Sequence, residues 1–414
     1  ASGLFREVVD TAVIKNIRIV EPVMALNGNG LYAGLVANTM RGGFADGVAD
    51  EGGTLHGLSA TLSNIHVVAP TIVGNDFAGV CGGLIGEASL YVEMSECSLQ
   101  DAVIELPRAE AVGGLVGHMM TSSSMHVAAF SGQIQGGATV GGIAASVDGD
   151  CPIRHAHVDA DIAGATIVGG IAGNSDRATI TNCYVEGTLA LALAADRGGV
   201  GGIVGALAAD ISEKATNAIV YNNIVALQSI QAPQGAIAHR IVGFSSCNDY
   251  EYDWNNVDYS KPQAEWPRIY GKTEKCLADN YVTSDLALLD ATIALESTTT
   301  EGANLSDLTS EWLTAHAFAQ GESADAPWVL NAADLKLWFE TSVGSSVDNL
   351  IAASNIALVD GMLMANGKIS VYNLNGMMVA QGVDCVPASQ LNMGVYIISV
   401  SNAEGSQVGK ILIP

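Results

Sequence analysis

Two carboxylates that a repeating register brings side by side are the first residues of this chain whose type and spacing could do chemistry. Asp159 and Glu186 each follow the last apolar residue of two corresponding segments, Ile153-Arg154-His155-Ala156-His157-Val158 and Ile180-Thr181-Asn182-Cys183-Tyr184-Val185. If those segments stack as neighbouring strands, the two side chains lie ~5 Å apart on one outer face, with Asp161 nearby. Such a pair can serve a retaining glycosidase or hold a calcium ion. On a chain with 43 acidic against 17 basic residues the pair also reads as a solvated acidic face, and that is the reading preferred.

Other candidates are weaker. Asp46, Asp50 and Glu51 sit in a glycine-rich acidic insertion, where calcium is possible although the spacing matches no calcium loop. Tyr250, Tyr252, Trp254, Tyr259 and Trp266 could stack on sugar rings, but a packed cap explains them as well. His155 and His157 share a strand face and invite a metal. In the repeat, however, His155 takes a position held by Asn elsewhere and His157 an outward one. Seven scattered cysteines make no zinc spacing, and Cys81, Cys97 and Cys183, which fall in inward columns of the repeat, read as buried apolar thiols. Gly28-Asn29-Gly30-Leu31-Tyr32-Ala33 lacks the helix a dinucleotide site needs, and Gly271-Lys272-Thr273 lacks the first glycine of a phosphate loop. No catalytic residue and no cofactor are assigned.

The elements that must position these residues come from a repeat. Val112-Gly113-Gly114-Leu115-Val116-Gly117 returns at Cys81 to Gly86, Val168 to Gly173 and Val200 to Gly205. A shortened copy is Val140 to Ala144, and looser copies contain Gly3, Gly34 and Arg240. The residues before each Leu or Ile stand at 3, 34, 83, 114, 142, 170, 202 and 240, a period of a stacked repeat. A second register, apolar-x-Asn-small-x-apolar, begins at Ile14, Leu62, Met94, Met125, Ile153, Ile180 and Val220. Each unit thus holds about three short strands between Gly, Asn, Asp or Ser turns. Strands so short bury a face only by stacking, which predicts a parallel β-solenoid of about eight repeats. The glycine pairs then mark close approach of one wall to another, and the shared Asn column marks amides bonding backbone groups at a corner.

This pattern resembles the GLUG motif, a Gly-Leu-x-Gly core found in repeat arrays of secreted bacterial adhesins and some surface proteases. The resemblance covers residues 1–245 and implies an extracellular scaffold or binding role. Residues 246–340, which hold all five tryptophans, are expected to cap the solenoid, and similar chains end this stretch as Leu337-Trp338-Phe339 does. A short helix is expected from Ser306 to Ala317, and a linker over 341–349. Residues 350–414 read as a small immunoglobulin-like β-sandwich. Through Leu374-Asn375-Gly376, Gly394-Val395-Tyr396 and Lys410 this tail resembles the sorting domain of the type IX (Por) secretion system, which implies export and attachment at a Gram-negative outer membrane.

Composition agrees. A net charge of −26 repels phosphate backbones and anionic lipid, so nucleic acid is disfavoured as a partner. No run of ~18 apolar residues could span a bilayer. Because Gly3-Leu4-Phe5 already lies inside a repeat, further sequence upstream is expected. The leading expectation is therefore a surface-displayed adhesion or binding protein whose partner is a host or matrix glycan or protein. The alternatives are a polysaccharide-degrading β-helix enzyme and the non-catalytic scaffold of a larger surface protein.

Overall fold

A computed structural model describes residues 3–28, 30–44, 57–148, 150–208, 219–246, 250–252, 255–270, 276–283, 286–289, 302–305, 307–331, 334–343, 357–359, 362–372, 378–387, 391, 394–402 and 405–413. The chain divides into two compact units, Ala1–Leu337 and Trp338–Pro414.

The first unit is the parallel β-solenoid. Its coils feed three parallel sheets of eight, seven and fifteen strands. The backbone of the longest sheet is β1 (Val13–Val20), β2 (Ala60–Val68), β3 (Val92–Glu105), β4 (Ser124–Gln135), β5 (Ile153–Gly164), β6 (Tyr184–Leu191), β7 (Ile224–Gln231), β8 (Tyr281–Thr283) and β9 (Ala303–Leu305), paired in chain order. Inward residues form continuous apolar columns. Ile14, Leu62, Met94, Met125, Ile153, Ile180, Val220 and Leu277 are consecutive register partners, and from Leu62 onward all are buried. Each such side chain stabilises the stack by about 1.5–3 kcal/mol.

The glycine pairs turn the corner between the two shorter sheets, as Val80–Gly82 passes through Gly83 and Leu84 into Ile85–Ser89. Close approach is the reason for them. A Cβ on Gly114 would lie under 3.0 Å from the Gly142 carbonyl oxygen and the Phe130 ring, and one on Gly83 would strike the Gly114 carbonyl oxygen.

The Asn column has a conformational cause beside the expected bonds from its amides to backbone groups. Asn16, Asn64, Glu96, Val127, His155, Asn182 and Asn222 all take left-handed φ of 53–59°, a conformation Asn tolerates better than most residues. Its amides bond one another or a covering segment: Asn64 Nδ2 donates to Asn16 Oδ1 at 2.8 Å, and Asn182 Nδ2 to the Ala317 carbonyl at 3.0 Å.

The stack also runs past residue 245. Leu277-Ala278-Asp279-Asn280-Tyr281-Val282 repeats the register, with Asp279 at φ 49°, and its strands pair with those of the preceding coil. No Gly-Gly-Leu core precedes this copy, which is why sequence reading missed it. Inside, Asn223 and Asn280 replace the small residue, and Asn223 Nδ2 donates to Ile180 O and Asn280 Oδ1, both at 3.0 Å.

Past the last coil, α1 (Ser310–Ala315) is shorter than expected. Thr309 is its N-cap, accepting from Trp312 N at 3.2 Å, and Ser306 lies outside the described residues. In the second unit, α2 (Trp338–Val343) occupies the first residues of the expected linker. The antiparallel strands expected of the tail follow: Ala357–Val359, Met362–Tyr372, Met378–Pro387, Gly394–Asn402 and Gly405–Ile413. They form one sheet over a core that includes Leu363, Ile369, Val371, Val386 and Ile398.

Candidate functional site

The long sheet's outer face carries the polar residues singled out in the sequence. Its strands change conformation midway, where Ala102, Gly132, Ala160 and Gly187 lie in register. Gly132 and Gly187 have φ of 131° and 94°, and a Cβ on either would strike the neighbouring strand's backbone. On the N-terminal side of this line the outward positions of β5 and β6 are His157, Asp159, Tyr184 and Glu186; on the C-terminal side they are Asp161, Ala163, Thr188 and Ala190.

Asp159 and Glu186 are register partners, as the repeat predicted. Their environments differ. Asp159 is exposed, whereas Glu186 accepts from the Tyr184 hydroxyl at 2.6 Å and has His157 Nε2 at 3.5 Å from its other oxygen. Burial alone would raise the Glu186 pKa, but bonds from His157 and Tyr184 outweigh it and hold the carboxyl below its ordinary value. Burial and the Glu186 charge push the Tyr184 phenol up, so it stays a donor. A glycosidase's general acid needs a raised pKa and an accessible proton. Glu186 is held ionised, with both oxygens engaged.

His157 is not solvent-facing, contrary to its outward register. It is buried, stacked on Tyr184 at 5.4 Å with rings 16° apart, and Trp328 closes over both at 6.5 Å. Trp328 is fully buried and donates through Nε1 to His155 Nδ1 at 3.2 Å. Desolvation, then the neighbouring His126 and Arg154, lower the His155 pKa to about 4, so at neutral pH Nδ1 can accept. Phe318 backs Trp328 at 5.5 Å, while Trp312 stacks on His316 at 3.9 Å and both meet Tyr281 edge-on. Residues 307–331 therefore form a strap across the outer face of β5 to β8. Of the tryptophans expected to cover the end of the stack, Trp312 and Trp328 lie against its side, over Tyr281 and over His157 and Tyr184.

Beyond the midline glycines the face is open. A concavity of about 240 Å³ spans β3 to β6, lined by Glu105, Gln133, Gln135, Asp161, Ala163, Thr188 and Ala190 together with the strand segments at Ile104, Ile134 and Ile162, whose side chains are buried in the core. Thr188 Oγ1 donates to Asp161 Oδ1 at 2.6 Å.

Of the remaining candidates, Asp46, Asp50, Glu51 and Trp254 lie outside the described residues. Tyr250 and Tyr252 are on a strand, Tyr250–Tyr252, antiparallel to Arg268–Tyr270. Tyr259 is 72% exposed and meets the half-buried Trp266 edge-on at 5.5 Å. Among the described residues no three His, Cys, Asp or Glu side chains gather as a metal set, and no helix is long and apolar enough to cross a membrane. Cys81, Cys97 and Cys183 are buried free thiols, each pushed up to about 12 by desolvation.

Compared with known protein families, residues 164–190 match the GLUG motif. The matched segment is one turn of the solenoid, from the end of β5 through Ile167–Gly169, the Gly170 corner and Ala172–Asp176 into β6. No match is found among curated proteins or among solved structures. The chain is thus a β-repeat scaffold carrying the GLUG motif.

Proposed function

We propose that this chain acts outside the cell as a surface-displayed binding and adhesion protein, with the outer face of the long sheet as its working surface. The observation that carries the proposal is the contrast across that face: one half is sealed by the aromatic strap, and the other presents an open, polar concavity in the middle of a rigid sheet. Extracellular location is supported by the GLUG motif, whose arrays resemble those of secreted proteins.

The enzyme reading is less well supported. Glu186 is poorly suited to donate a proton, and the basic residues that a uronic-acid polymer would need do not line up. Lys15 and Arg154 share one register column, but Ser63, Ser95 and His126 stand between them and neutral Thr181 follows.

The second unit, with its own core, is proposed to serve export and attachment, in keeping with its resemblance to a sorting domain. In the native host, removal of residues 345–414 should trap the protein inside the envelope, and normal surface display of the truncation would remove this assignment. The binding role is tested by exposing the purified chain to immobilised glycans and matrix proteins. Saturable retention by at least one is expected; retention by none, with release of reducing ends from any polysaccharide, would replace adhesion by catalysis.

A further inference from the structure

Resting on the binding role proposed above, we infer that the concavity spanning β3 to β6 is the recognition site itself, and that it takes a neutral, hydroxyl-rich glycan chain lying along the solenoid axis. Register places its outward residues in two columns: Val103, Gln133, Asp161 and Thr188 in one, and Glu105, Gln135, Ala163 and Ala190 in the other. The paired alanines leave the room, because their neighbours in the same columns are long. The walls are two carboxamides, two carboxylates and a hydroxyl. Carboxamides both donate and accept, and carboxylates accept from adjacent hydroxyls, which is the complement of a sugar's equatorial edge. Thr188 Oγ1 donates to Asp161 Oδ1 and so fixes the orientation of that carboxylate at the wall of the concavity.

The other ligand classes fit less well. No basic residue lines the concavity, on a protein of net charge −26, so anionic polymers are repelled. Glu105 and Asp161 stand on strands two coils apart, roughly 10 Å at the backbone by the spacing of parallel strands, and among the described residues no group of three His, Cys, Asp or Glu side chains gathers that would complete a cation site. A peptide could not add as a strand, because β3, β4, β5 and β6 are each paired on both sides and offer no backbone edge. With no aromatic platform among the lining residues, affinity should be weak per site, on the order of a millimolar Kd. A chain crossing several coils with the same period would raise it by avidity.

The test is affinity electrophoresis of the full chain in native gels containing dextran, glucomannan or hydroxyethylcellulose, each with calcium or with a chelator. Retardation by at least one neutral polymer is expected, independent of calcium, and it should fall at least tenfold in Ala163→Phe, which fills the floor, and in the double variant Gln133→Ala, Asp161→Asn. Melting temperatures of both variants verify folding, and a variant that does not fold is replaced by Ala190→Phe at the neighbouring floor position. Retardation by none of these polymers, retardation only with calcium, or retention on polylysine alone would overturn the inference. If folded variants bind as the parent does, the site is elsewhere and the binding role still stands. Loss of all binding to immobilised glycans and matrix proteins would instead remove the role itself.

Discussion

At the residue scale, His155 is the most informative position, because two requirements meet in one side chain. Its backbone is left-handed, at φ 54°, and its imidazole must be neutral for Nδ1 to accept from Trp328. A His whose folded pKa is depressed to about 4, from an ordinary 6.5, contributes stability that is fully present above pH 6.5. That stability is lost as the pH falls toward 4, since the unfolded chain then binds a proton that the folded one refuses. Stability measured by urea unfolding should therefore decline across this window, with His155 contributing at most about 1.4 kcal/mol per pH unit. His155→Asn places in this coil the residue that Asn64 and Asn182 provide in others. It should cost about 1 kcal/mol at pH 7 through the lost Trp328 bond and flatten the decline between pH 6.5 and 4. An unchanged slope would show that His155 is not the group that titrates.

At the scale of elements, the corners and the strap hold the coils in place for different reasons. Gly114→Val forces a branched side chain against the Gly142 carbonyl and the Phe130 ring, so backbone must move. Destabilisation of about 2 kcal/mol or more is expected from differential scanning calorimetry. A melting temperature within error of the parent would refute the close-approach account of the glycine pairs. Trp328 is the strap's largest fully buried anchor: Trp328→Ala removes an indole worth about 3–5 kcal/mol at a well-packed site. Because coil-to-coil ladders do not involve the strap, limited proteolysis should cut within 307–331 while β1 to β7 stay protected. Simultaneous loss of both would mean that the strap is integral to the stack.

At the scale of the whole molecule, the chain is two units with separate cores, and nearest-neighbour coils supply most of the first unit's stability. Removing residues 345–414 should leave the melting temperature of the first unit within ~3 °C of that transition in the full chain, read by far-ultraviolet circular dichroism. A larger shift would show that the two units stabilise each other.

The division between what could be read from the sequence and what could not has a physical basis. A solenoid repeats its local constraints at each coil, so the Gly83, Gly114, Gly142, Gly170 and Gly202 corners and the apolar column through Leu62 and Ile153 are written as a period. Strand direction, inward faces and the adjacency of Asp159 and Glu186 follow from that period alone. The strap obeys no period. Trp328 meets His155 and His157 across more than 170 residues of chain, and such a contact depends on which large side chains happen to be left uncovered on the outer face. Periodicity could place Glu186 beside Asp159, but only the packed chain could surround it with Tyr184 and His157 and so make Glu186 the half-buried carboxylate of the two and Asp159 the exposed one.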